Sequence, residues 1–178
     1  YVPSDCDFVI EGYVDTSQEK FLEGPFGDHT GFYSLEDMYP EFHVTAITHR
    51  RGAVYPATIV GIPTQEDAYI AKATEKIFLA PIRLALQPEI EDLYMPAAGV
   101  AHNLALLSID KTYQGQAFKT AAAMWGAGQM MFNKALLVAP AGTDLHDGRQ
   151  IARLLRGIDP GRDVMFSRGV LDVLDHAT

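Results

Sequence analysis

Cysteine is nearly absent. Cys6 stands alone among 178 residues, so the chain can build no internal disulfide and no thiolate zinc cage, and a reducing compartment, the cytoplasm, is the expected setting. Basic residues are scarce too. Against 23 acidic side chains there are 14 basic ones, and the formal net charge of -9 repels phosphate backbones and anionic lipid surfaces. Nucleic acid and membrane are therefore not expected partners. No apolar run approaches the roughly 20 residues a spanning helix needs, and no basic-then-apolar leader opens the sequence. Repeats and low-complexity segments are also missing. Tyr1 stands where a Met would open a reading frame, and both ends are expected to be cuts in a longer protein.

What is present is a globular composition, 48% hydrophobic and 21% charged, enough for one generous core or two small ones. The first third carries strand signals. Phe8 to Val14 mixes β-branched and aromatic residues, and Phe42 to Thr48 alternates apolar with polar side chains at period two. After a polar turn, Val54 to Val60 reads as a further strand whose Pro56 suits an edge or a bulge. Gly61 to Thr64 supplies a break, with Thr64 as the expected N-cap of a helix from Gln65 to about Leu86, where Glu66 and Asp67 favour the helix dipole and Pro81 should kink or divide the run. The pattern then alternates. Ile90 to Tyr94 and Leu104 to Ile109 are predicted strands, Gly115 to Met131 a helix, Ala135 to Ala139 a buried strand, and Gly148 to Gly157 a helix. The expected fold class is α+β, a β-rich part over residues 1–64 and an α/β part over residues 65–178.

The segment Leu22 to Gly31 holds three glycines and a proline in ten residues. Such a stretch forms a loop of unusual dihedrals, and loops held that way often carry sites. Two carboxylates, Glu23 and Asp28, lie five positions apart within it. By composition alone a solvated polar turn accounts for them equally well.

The string Glu-Gly-Pro-Phe-Gly-Asp-His-Thr-Gly from Glu23 to Gly31, with Phe42 to Arg50, Gly61 to Asp67 and Lys72 to Glu75 in the same order, resembles the signature run of the UbiD decarboxylases. The resemblance extends over most of the chain. It implies part of a split β-barrel related to flavin reductases, followed by an α/β domain through which members associate, and hence a homo-oligomer. It also implies non-oxidative decarboxylation of an aromatic carboxylic acid on prenylated FMN, with quinone (ubiquinone or menaquinone) biosynthesis as the commonest assignment. Carried over residue by residue, Asp28 would be the proton donor, and Glu23 would be its partner together with an upstream arginine. Loss of carbon dioxide leaves a carbanion-like centre that a carboxylic acid must protonate, and two nearby carboxylates can share charge and proton as a coupled pair. The manganese and potassium ions that hold the flavin phosphate in that family would have their protein ligands outside this segment, so no metal or cofactor contact is assigned here and the segment alone is expected to be inactive. A non-catalytic flavin-binding or assembly module of the same fold is the alternative function.

Other candidates have ordinary explanations. His43 and His49 share a strand face and could be imagined as metal ligands, but no third ligand follows at a suitable spacing. Asp147 sits where α/β folds place ligand loops and is equally a helix N-cap. Arg149, Arg153 and Arg156 share one helix face, which suits a solvated or subunit-facing surface. Met124, Trp125, Met130 and Met131 read as packing rather than as a cofactor box.

Overall fold

Strand β1, Phe8–Val14, and strand β4, Phe42–His49, run antiparallel with a register shift at Glu11/Gly12, in a computed structural model that describes residues 1–169, 172 and 174. The end of the expected second domain therefore lies partly outside the described residues. At the register shift, glycine is required. A Cβ on Gly12 would run into the carbonyl oxygen of His43, so the bulge can form only where no side chain intervenes. Between these strands lie β2, Phe21–Glu23, and β3, Asp37–Tyr39, paired antiparallel with Glu23 opposite Asp37.

Both β pairs are two-stranded, and no closed barrel forms among the described residues. Ile10, Val14, Val44 and Ile47 are exposed, so the period-two pattern that made these segments strands finds little to pack against here. A two-stranded ribbon is marginal on its own. Residues 54–60 are not a strand. Pro56 lacks the N–H a ladder needs, and no neighbouring strand runs alongside among the described residues.

Helix α1, Glu66–Ala85, has Glu66 and Asp67 in its first turn, and Pro81 sits within it without dividing it. The N-cap position falls on Gln65, which makes no capping bond. Thr64 is not the cap, because its hydroxyl donates instead to the carbonyl of Ala97 at 3.4 Å.

The second part is organised on a three-stranded sheet. Strand β5, Ile90–Tyr94, runs antiparallel to β6, Leu104–Ile109, which runs parallel to β7, Ala135–Pro140. Alternation along β6 sends side chains to two faces. Ala105, Leu107 and Ile109 pack with Ala71 of α1 and with Met124 of α2, Gln116–Trp125. Leu106 packs with Ala139, Leu145 and, partly buried, Ile151 and Leu154 of α3, Gly148–Arg156. The sheet is thus covered on both faces, as an α/β layer requires. Burying each such leucine contributes roughly 1.5–3 kcal/mol, so this layer holds most of the chain's own stability.

Two expectations are adjusted here. The helix expected to reach Met131 stops at Trp125, and a 3-10 turn covers Gly128–Phe132; Gly126 follows at the C-cap, and Gly128 takes a left-handed φ of 55°. Met124 is buried, whereas Met131 is exposed. At α3, Asp147 is the N-cap, its carboxylate accepting from the Arg149 N–H at 2.8 Å, and Arg149, Arg153 and Arg156 are exposed. A final short helix, α4, spans Pro160–Asp163. Among the described residues no helix is long and apolar enough to cross a membrane.

Candidate active site

The loop between β2 and β3 folds back on itself as a narrow hairpin. Ser34 N–H donates to the Phe26 carbonyl at 2.8 Å and Asp28 N–H to that of Phe32 at 3.0 Å, and the Gly31 N–H closes a turn onto the Asp28 carbonyl at 3.1 Å. The Ser34 hydroxyl adds a bond from the Phe26 N–H at 2.9 Å. Gly31 takes φ 88° and Gly24 φ 97°, a region that L side chains avoid. The expected loop of unusual dihedrals is therefore present, and its tip is pinned from within.

Asp28 sits at that tip, mostly buried. Its Oδ2 accepts the Thr30 N–H at 3.1 Å and the Thr30 hydroxyl at 2.8 Å, and its Oδ1 lies 3.4 Å from Nδ1 of His29. Burial is the largest single influence on this carboxyl and pushes it up. The Thr30 bonds and the charge of His29 together outweigh burial, so the net direction is down from the ordinary carboxylate value. Asp28 therefore rests as a carboxylate at neutral pH.

Glu23 ends β2 and is exposed, directly opposite Asp37. The hairpin does not bring Glu23 and Asp28 into contact: among the described residues the partners of Asp28 are Thr30 and His29. Asp37 is likewise exposed, and its carboxylate accepts the Met38 N–H at 2.7 Å. Asp37 was not singled out in the sequence, since its pairing with Glu23 depends on the hairpin closing.

Sequence reasoning also missed His29 and His102. Their rings meet edge to face with centroids 5.5 Å apart, and His102 Nε2 lies 3.7 Å from Asp172 Oδ2. Nε2 of His29 is buried without a hydrogen-bond partner among the described residues. His43 and His49 are elsewhere: His43 stacks on Tyr13 with centroids 4.9 Å apart, and His49 packs against Phe8. No group of three or more potential ligands that could hold a metal occurs among the described residues.

Residues 1–63 match the family model of the 3-octaprenyl-4-hydroxybenzoate carboxy-lyase Rift-related domain, and residues 68–178 match that of the C-terminal domain of the same carboxy-lyase. The chain belongs to the UbiD family. An uncharacterised protein of Aquifex aeolicus is 47% identical over 177 residues, 99% of this chain and 36% of that protein. Vanillic acid decarboxylase of Sedimentibacter hydroxybenzoicus, in its closed form, superposes with a TM-score of 0.86 at 25% identity, covering 100% of this chain and 37% of that one. An evolved dimeric form of the UbiD-class enzyme HmfF from Pelotomaculum thermopropionicum, in complex with prFMN, superposes with a TM-score of 0.77 at 27% identity, over 94% of this chain and 38% of that one. This UbiD chain thus spans a little over a third of the length of these relatives.

Proposed function

We propose that this chain carries the proton-delivering carboxylate of a decarboxylase acting on aromatic acids with prenylated FMN, Asp28 being the donor and Glu23 its partner. The observation that carries the reading is the fixed carboxylate of Asp28 on a pinned, glycine-rich loop, with Oδ2 taken up by Thr30 and Oδ1 facing an imidazole. Rigid placement of a carboxyl group is what general acid catalysis needs. Glu23, exposed at the end of β2, is the carboxylate to which this reading assigns the arginine implied by the family resemblance.

The residues present fit one part of such a site and not another. The His29 imidazole turns Nδ1 toward the Asp28 carboxylate and leaves Nε2 buried without a hydrogen-bond partner among the described residues, an arrangement that suits proton handling. The contacts to the flavin phosphate, and to the manganese and potassium expected with it, are assigned by this reading to the rest of a longer polypeptide. When bound, the flavin would supply the sink for the electron pair left behind as carbon dioxide departs. Asp28 then gives the vacated ring carbon a proton from its carboxyl, and returns to the carboxylate that its surroundings favour. Because it rests ionised, it must be loaded with a proton in each turnover.

The same reading assigns residues 1–64 to part of a split barrel whose remaining strands come from elsewhere in the polypeptide, which the exposed faces of β1 and β4 support. Residues 65–178 form the α/β domain. The same reading assigns this domain to association between copies, and the evolved form of HmfF is dimeric. The single half-buried cysteine fits a cytoplasmic protein.

The test is incubation of the full-length protein with prenylated FMN, manganese and a panel of aromatic acids, with carbon dioxide as the readout. Release from at least one hydroxybenzoate-type acid is expected. A protein that binds the flavin yet releases none across the panel would instead be an assembly or flavin-binding module.

A further inference from the structure

Asp28 is one member of a closed circuit of polar and ring contacts that joins three distant parts of the chain. From Asp28 Oδ1 the circuit passes 3.4 Å to His29 Nδ1, across the ring contact to His102, and 3.7 Å from His102 Nε2 to Asp172 Oδ2. The Leu174 N–H donates to Asp172 Oδ1 at 3.0 Å, and Leu174 O lies 3.1 Å from the Thr30 hydroxyl, which closes the circuit onto Asp28 Oδ2. That hydroxyl has one proton and the two acceptors compete for it; the carboxylate, at 2.8 Å, is the shorter and the charged one. With Oδ2 taken up by Thr30, Oδ1 is the oxygen that faces the His29 ring.

We propose that His29 hands Asp28 the proton that Asp28 delivers, and that His102, backed by Asp172 and by the Phe132 ring with centroids 6.1 Å apart, holds the His29 ring for that transfer. The proposal rests on the reading of Asp28 as the proton donor. In the transfer the Nδ1–H bond of imidazolium His29 breaks and an O–H bond forms at Asp28 Oδ1. His29 is left neutral with its remaining proton on Nε2, and regains the other from water before the next turnover. Imidazole suits this role because it is the side chain whose ordinary proton affinity lies near neutrality, whereas an acid that rests ionised cannot collect a proton efficiently from neutral water. A separation of 3.4 Å is long for a hydrogen bond, and catalytic contacts of this kind tighten when substrate is bound. Among the described residues, the charged and titratable groups recorded about His29 are Asp28 on its own loop and His102 on the turn before β6, with Asp172 behind His102. Two carboxylates thus flank two imidazoles.

His29→Asn in the full-length, flavin-loaded protein keeps a donor toward Asp28 but cannot transfer a proton. The expected result is a fall in kcat of about 100-fold or more, with the KM for the acid and the flavin absorbance retained, and partial rescue by added imidazole. Asp28→Asn is measured beside it. If Asp28→Asn is inactive and His29→Asn is within about threefold of wild type, the role of His29 is wrong while that of Asp28 stands; if both variants stay active, both readings fall. A second measurement needs no turnover and no variant. By NMR titration of the wild-type chain, the Asp28 carboxyl and the His29 imidazole are expected to report each other's ionisation, and independent titration of the two would overturn the proposal even if His29→Asn did not fold.

Discussion

Both hydrogen bonds that Thr30 donates to Asp28 end on the same oxygen, Oδ2, one from the backbone N–H at 3.1 Å and one from the hydroxyl at 2.8 Å. The two oxygens of one carboxylate are therefore held differently, Oδ2 by Thr30 and Oδ1 toward His29. These contacts favour the ionised group, so in the proposed role Asp28 needs a source for its proton.

Replacing Thr30 by Val removes the hydroxyl bond and keeps the shape of this buried side chain. The Asp28 carboxyl, held below its ordinary value in the fold, should move back up. A depressed carboxyl stabilises the fold above the unfolded value of about 3.9 and loses that contribution as pH falls through its lower folded value. Thr30→Val should therefore shift acid unfolding to higher pH and cost about 1–2 kcal/mol near neutrality. Circular dichroism across an acid titration checks this; an unchanged midpoint would mean that the hydroxyl bond contributes nothing.

Glu75 poses the opposite case. It is buried in α1 and accepts the Met95 N–H, and burial, the largest influence, pushes its carboxyl up despite that bond. A raised carboxyl favours the fold most below its unfolded value and less as pH rises through the folded one. Glu75→Gln keeps an acceptor for Met95 and removes the charge, so thermal stability should rise or hold at pH 7 and lose part of its pH dependence. Glu75→Ala should cost about 1–3 kcal/mol by leaving the Met95 N–H unsatisfied. Melting temperatures at pH 5 and pH 8 separate these outcomes.

Much of the scaffold was legible because its signals are local. The boundaries of β1 and β6 follow from runs of β-branched, aromatic and aliphatic residues, and Asp147 capped its helix as its position before Gly148 suggested. The misses have non-local causes. Residues 54–60 carry strand-forming side chains but have no partner alongside, and Thr64 gave its hydroxyl to Ala97 across the fold. At the site, the loop and its two carboxylates stood out by composition and by family resemblance. The opposition of Glu23 to Asp37 and the meeting of His29 with His102 did not, because each depends on chain segments that only the folded topology brings together.

Gly31 holds the turn below Asp28 in a left-handed conformation, and a Cβ there would press on the side chain of Ile62. Gly31→Ala should strain the turn by roughly 1–2 kcal/mol and displace Asp28 from its two Thr30 bonds. A tenfold or greater loss of kcat is expected from misplacement of the donor, with the overall fold retained by circular dichroism. Wild-type kcat in this variant would show that the turn geometry is not needed.

The most direct measurement is carbon dioxide release by full-length Asp28→Asn, loaded with prenylated FMN, on an acid that the wild-type protein decarboxylates. Asn keeps the size and can still accept from Thr30, but has no carboxylic proton to give. The expected result is a fall in kcat of at least about 100-fold, with the flavin still bound by its absorbance spectrum. Turnover within a few fold of wild type, with the flavin equally bound, would contradict the assignment of Asp28 as the proton donor.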